Sequence, residues 1–121
     1  MTFITSETNR GFMFIQFHDT YGELCSVQES SAIHEEEGNA YIWVGVHDPK
    51  PIIMASDAMN LGIDISNYKN GWIPYEIPSE ALISSRMHLD KDAARRLGRM
   101  LLAWSKDGRV GLLGQVEVTN A

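Results

Sequence analysis

FMFIQFHDTYGELCSVQE, residues 12–29, decides the fold. Two apolar, β-rich runs (12–18 and 23–29) flank Asp19-Thr20-Tyr21-Gly22. Aspartate at the first turn position and glycine at the last suit a tight reversal, so the stretch predicts a β-hairpin. Strand alternation then puts Cys25 and Val27 on one face, with Ser26 and Gln28 on the other.

Working outward, residues 30–39 are polar and break at 35–39. AYIWVGV (40–46) reads as a third strand carrying Trp43, and His47-Asp48-Pro49-Lys50-Pro51 ends it, because proline donates nothing to a ladder. Residues 52–62 read as a short helix capped at Ser56 or Asp57 and stopped at Gly62. Residues 63–80, with Gly71, Pro74 and Pro78 between aromatics, read as a long surface loop. Residues 90–106 form the clearest helix. Asp90 suits its N-cap, Asp92 its first turn and Gly108 the position after its end. Leu89, Ala93, Leu97, Met100, Leu101 and Trp104 recur at three- and four-residue spacing and make one apolar stripe. VGLLGQVEV (110–118) reads as a last strand. Together these elements predict a single α+β domain over 1–121. It is a small, mostly antiparallel sheet with one long C-terminal amphipathic helix packed on it through Leu97, Leu101 and Trp104.

The charge is unevenly placed. The net charge is −6, which argues against nonspecific duplex DNA binding. Residues 1–85 hold three Lys/Arg against twelve Asp/Glu, a net of −9, while residues 86–121 hold seven against four, a net of +3. Lys91, Arg95 and Arg99 lie four apart on the helix and form a basic ridge beside the apolar stripe, with Arg96 on the neighbouring face. An acidic part and a basic part in one chain are self-complementary, which favours a homo-oligomer. A lone cysteine forms no internal disulfide, and residues 1–12 show no signal-peptide pattern, so a cytoplasmic protein is expected. No apolar run approaches the ~20 residues of a membrane span.

Motifs for catalysis are missing: there is no HExxH, CxxC or GxSxG and no phosphate-binding glycine loop. Cys25 with a histidine such as His18 would give a thiol enzyme, but a free cysteine on the face of Val27 behaves as a small hydrophobe. His34-Glu35-Glu36-Glu37 offers metal-binding groups, yet consecutive loop residues do not converge unaided. Neither a metal nor a cofactor is expected. The basic ridge is the best functional signal, since guanidinium groups suit phosphate and carboxylate. Arg86 and His88 sit just before the helix, where free backbone N–H groups also favour anions. Ser26, Gln28, Ser30 and Ser31 supply amide and hydroxyl contacts, and Trp43, Trp72 and Tyr75 supply stacking surfaces. That set suits a nucleotide-like anion, or an acidic patch on another protein.

CSVQESS (25–31), YIWVGV (41–46), IMASDAMNLGI (53–63), GWIPYEIP (71–78) and ALISSRMHLDKDAARRLGRMLLAW (81–104) together resemble a family of small accessory proteins of tailed phages and prophages. Its marks are a Gln-x-Ser-Ser element, an Ile-Trp-Leu/Val-Gly strand, a Gly-Trp-x-Pro-Tyr element and an Arg-Met-His-Leu element followed by an amphipathic helix. The likeness runs in order over residues 22–104. Where the family's helix ends in a Thr-Gly-like cap, this chain has Ser105-Lys106-Asp107-Gly108. The resemblance implies a setting, the cytoplasm of an infected host, and a non-enzymatic role against host defence. One form sequesters an anionic nucleotide-type immune signal. The other binds a host defence protein, in the manner of anti-CRISPR proteins, with the acidic part mimicking nucleic acid. The site residues expected are Gln28, Ser30, Ser31, Trp43, Trp72, Arg86 and His88, joined by Arg95 and Arg99 of the ridge.

Overall fold

A computed structural model describes residues 1–34, 38–68 and 71–110, without the side chains of 33, 34, 38 and 39. A first strand, β1 (Ile4–Glu7), precedes the expected hairpin of β2 (Met13–His18) and β3 (Leu24–Glu29). The hairpin turn is fixed by Asp19, whose Oδ1 accepts the N–H groups of Tyr21 and Glu23 at 2.9 and 3.0 Å. Gly22 closes it at φ 84°, a conformation in which any Cβ would be strained. A two-residue pair, β4 (Ile33–His34) with β5 (Gly38–Asn39), then leads to β6 (Tyr41–Val46).

After β6 the chain forms β7 (Ile52–Met54), the helix α1 (Ala55–Asn60) and β8 (Trp72–Pro74). The sequence reading made one helix of 52–62. Instead β-branched Ile52 and Ile53 extend and pair with β8, and α1 starts after Met54 with no side-chain cap. Ser56 and Asp57 therefore lie inside the helix rather than at its start. Part of the predicted surface loop is this partner strand, and Ile73 in it is buried with Ala55 and Ala58, while Ile53, Ile63 and Ile65 pack around them.

The largest correction concerns residues 86–90. They form a strand, β9 (Arg86–Asp90), and not a lead-in to the helix. The five-stranded sheet runs β1-β2-β3-β6-β9, with every neighbouring pair antiparallel. Gly45 makes the last pairing possible, since a Cβ there would lie 2.8 Å from Arg86 Cα and against the Ser85 carbonyl. The helix α2 (Lys91–Asp107) follows at once. Asp90 caps it through Oδ1, which accepts the Ala93 N–H at 2.8 Å, and Gly108 ends it at φ 72°. Fold class and helix signals thus agree with the sequence: α+β, with α2 packed on the sheet next to β9 and β6. The packing residues differ. Leu101 and Trp104 remain 59% and 56% exposed, and no α2 residue is buried. The predicted strand at 110–118 falls, but for Val110, outside the described residues.

Candidate functional site

Sheet register sorts the side chains into two faces. Ile15, Val27, Val44 and Met87 are mutual partners across four strands and give one apolar face. Cys25 shares that face, opposite Phe17 and Val46. The other face carries Phe14, Gln28, Trp43 and His88 in one row, and Gln16, Ser26, Gly45 and Arg86 in the next. The alternation read from residues 23–29 therefore holds, but burial does not follow it: Ile15, Val27 and Val44 are half-buried and Met87 exposed, whereas Ser26 on the polar face is fully buried.

On the polar face a cluster forms around Trp43. Arg86 donates from one terminal guanidinium nitrogen to Gln28 Oε1 at 2.7 Å, and its guanidinium carbon lies 5.2 Å from the Trp43 ring centre. A cation over an indole face is attracted by the ring quadrupole. The remaining guanidinium donors of Arg86 have no hydrogen-bond partner among the described residues. His88 stacks on Tyr41 with ring centres 4.9 Å apart and leans on Trp43 at 4.2 Å. Its Nε2 shares a hydrogen bond with the Ser30 hydroxyl at 2.8 Å, while that same oxygen accepts the Ala32 N–H at 3.1 Å. Ser30 is buried, so it anchors the imidazole from below. Ser26, fully buried in the neighbouring row, holds Nδ1 of His47 at 3.1 Å and so serves the sheet rather than a ligand.

A hollow of about 310 Å³ opens beside this cluster. Gln28, Glu29, Ser31 and Trp43 line it from the sheet, and Thr8, Asn9, Arg10 and Phe12 line it from the β1–β2 turn. That turn is closed by hydrogen bonds: the Thr8 hydroxyl accepts the Phe12 N–H at 3.0 Å, and Thr8 O accepts the Gly11 N–H at 2.9 Å. Arg10 lies over Phe12, its guanidinium carbon 5.7 Å from the ring centre. Glu29 places a carboxylate in the same wall and accepts the Met13 N–H. The hollow thus joins guanidinium, carboxylate, amide, hydroxyl and indole groups at the size where small-ligand sites begin.

Five expected residues come together here: Gln28, Ser30, Trp43, Arg86 and His88 are in mutual contact, and Ser31 lines the adjoining hollow. Three do not. Trp72 stands on β8, in the separate two-stranded sheet. Arg95 and Arg99 are exposed on α2, with no hydrogen bond, ion pair or ring contact to the cluster among the described residues. The expectation that Arg86 and His88 use the helix N-terminus also fails. They belong to the strand, and Asp90 takes an N-terminal N–H for itself. Sequence reading missed Arg10 and its turn; the signal was Thr8-Asn9-Arg10-Gly11, a turn composition holding a lone cation in an acidic stretch.

The two other constellations weighed from sequence fare differently. Cys25 is buried, and burial, with smaller contributions from Asp19 and Glu23, pushes its thiol above the ordinary value. His18 pairs opposite Leu24 and so lies on the other face from Cys25. The His34–Glu37 stretch falls on side chains outside the described set, and no metal-sized group of ligands occurs among the described residues. No described helix is long and apolar enough to cross a membrane. The chain matches no family model, no curated protein and no solved structure.

Proposed function

We propose that the chain is a phage-encoded, non-enzymatic binding protein that sequesters an anionic nucleotide-type immune signal in the host cytoplasm, as an assembly of identical chains. The observation that carries this is Arg86, held by Gln28 and the Trp43 ring next to the hollow with donors to spare. A guanidinium fixed before the ligand arrives loses little freedom on binding and meets phosphate in its preferred fork geometry. Arg10 supplies a second cation, and it lines the hollow itself, whereas Arg86 reaches the hollow only through its contacts with Gln28 and Trp43. Gln28 and Ser31 carry amide and hydroxyl groups of the kind that ribose hydroxyls and base amino groups need. A non-enzymatic role agrees with the opposed placement of Cys25 and His18.

The test is release. Protein purified from infected or signal-producing cells is denatured by heat, and the small molecules set free are identified by mass spectrometry. Recovery of an intact, phosphate-bearing nucleotide in stoichiometric amount is expected. Recovery of a hydrolysed product would make the chain an enzyme, and recovery of nothing from signal-producing cells would remove the ligand.

A second reading is a protein-binding inhibitor that mimics nucleic acid, favoured by the −9 excess over residues 1–85. Pull-down from host lysate separates the two, because only the inhibitor retains a stoichiometric host protein.

A further inference from the structure

The buried set is small for a chain of 121 residues: among the described residues Cys25, Ala40, Ala55, Ala58 and Ile73 are the buried apolar side chains, and the largest fully buried one is Ser26. Large apolar groups lie outside instead. On α2, Leu101, Leu102 and Trp104 are more than half exposed, while Ala93, Leu97 and Met100, on the same apolar stripe as Leu101 and Trp104, are half-buried, so the stripe is left uncovered at its C-terminal end. A helix keeps such a stripe only against a partner.

The surface area says the same. The chain exposes 9983 Å², against the ~6,600 Å² expected of a compact monomer of this mass. Allowing each of the sixteen residues outside the description the ~160 Å² of an extended chain leaves ~7,400 Å² for the other 105, against the ~5,900 Å² of a compact body of that size, an excess of roughly 1,500 Å². A stable dimer needs about 800 Å² from each partner.

We infer that the exposed apolar end of α2, from Leu101 to Trp104, is a self-association face occupied by a second copy of this chain. A second copy fits on charge as well as area. Arg95 and Arg99 lie off the stripe and flank the contact, and the part of the partner with matching sign is its acidic residues 1–85, at −9. The inference deepens the assembly named in the proposed function and rests on that reading only there; it needs no ligand.

Sedimentation equilibrium of the full 1–121 chain at micromolar concentration tests it. A mass that is a multiple of 13.6 kDa is expected, and Leu101→Glu and Trp104→Glu are expected to reduce it to one chain while circular dichroism stays native. Should either fail to fold, Trp104→Ser decides, with at least a tenfold rise in the dissociation constant expected. A monomeric wild type overturns the inference and leaves residues 111–121 or solvent on the stripe. An oligomer that survives folded Leu101→Glu, or is indifferent to Trp104→Ser, overturns it too, by placing the contact elsewhere. Ligand binding is read separately by calorimetry, so a chain that assembles but binds no nucleotide refutes the capture function alone.

Discussion

Arg86 is the side chain on which the proposed ligand capture turns. Charge-assisted hydrogen bonds to it are worth about 1.5–3 kcal/mol, so Arg86→Ala is expected to weaken nucleotide binding ~10- to 100-fold in calorimetry, with a lower thermal midpoint as the Gln28 bond and the Trp43 contact are lost. Unchanged affinity would assign Arg86 to holding Gln28 alone. Cys25 supplies a prediction of opposite character. Its buried thiol holds its proton more tightly in the native state than in the unfolded chain. The stability this contributes is whole below the unfolded thiol value and is lost as pH climbs from there through the raised native one. Thermal midpoints should therefore fall on the alkaline side, less steeply in Cys25→Ala, and the native thiol should resist an aromatic disulfide reagent at pH 8 that labels the denatured chain. Fast labelling of the native protein would contradict its burial. Both residues were legible in part: alternation along residues 23–29 gave the faces, but that Arg86 would meet Gln28 depended on a strand pairing 58 residues away in sequence.

Elements were legible where chemistry is local. Asp19 and Gly22 fixed the hairpin turn, and Asp90 and Gly108 fixed the ends of α2, because each acts on backbone a few residues away. Strand β9 was hidden for the converse reason. Arg-Met-His-Leu has no strand composition of its own, and it extends because β6 offers it an edge and Gly45 lets it approach. Gly45→Ala is therefore expected to destabilise the fold by more than the ~1 kcal/mol of an ordinary strand substitution, and to weaken binding with it, since Arg86 and His88 move with β9. Denaturant unfolding and calorimetry on that variant check both; a stable Gly45→Ala would mean β9 is held by something other than this pairing. Asp90→Ala should cost ~1 kcal/mol by loss of the cap and leave ligand affinity unchanged, as the helix N-terminus is outside the hollow.

At the scale of the molecule, the amphipathic period of residues 89–104 revealed an apolar stripe but not its occupant, for periodicity reports which face avoids water and is silent about what covers it. The same limit applied to the basic ridge. Clustering in sequence placed Arg86, Arg95 and Arg99 together, whereas the fold puts the first on the sheet and the others on an exposed helix surface. Arg10, distant in sequence and nearly alone among acidic residues, joins the hollow instead. The proposed ligand site is therefore centred on the sheet face and not on the helix. Titration calorimetry of wild type and Arg86→Ala against a panel of cyclic nucleotides and ADP-ribose-type molecules at two salt concentrations tests this most directly. The expected result is tight, salt-sensitive binding of at least one of them by the wild type, with Arg86→Ala ~10- to 100-fold weaker. Absence of heat across the panel, or binding that Arg86→Ala leaves intact, would contradict it.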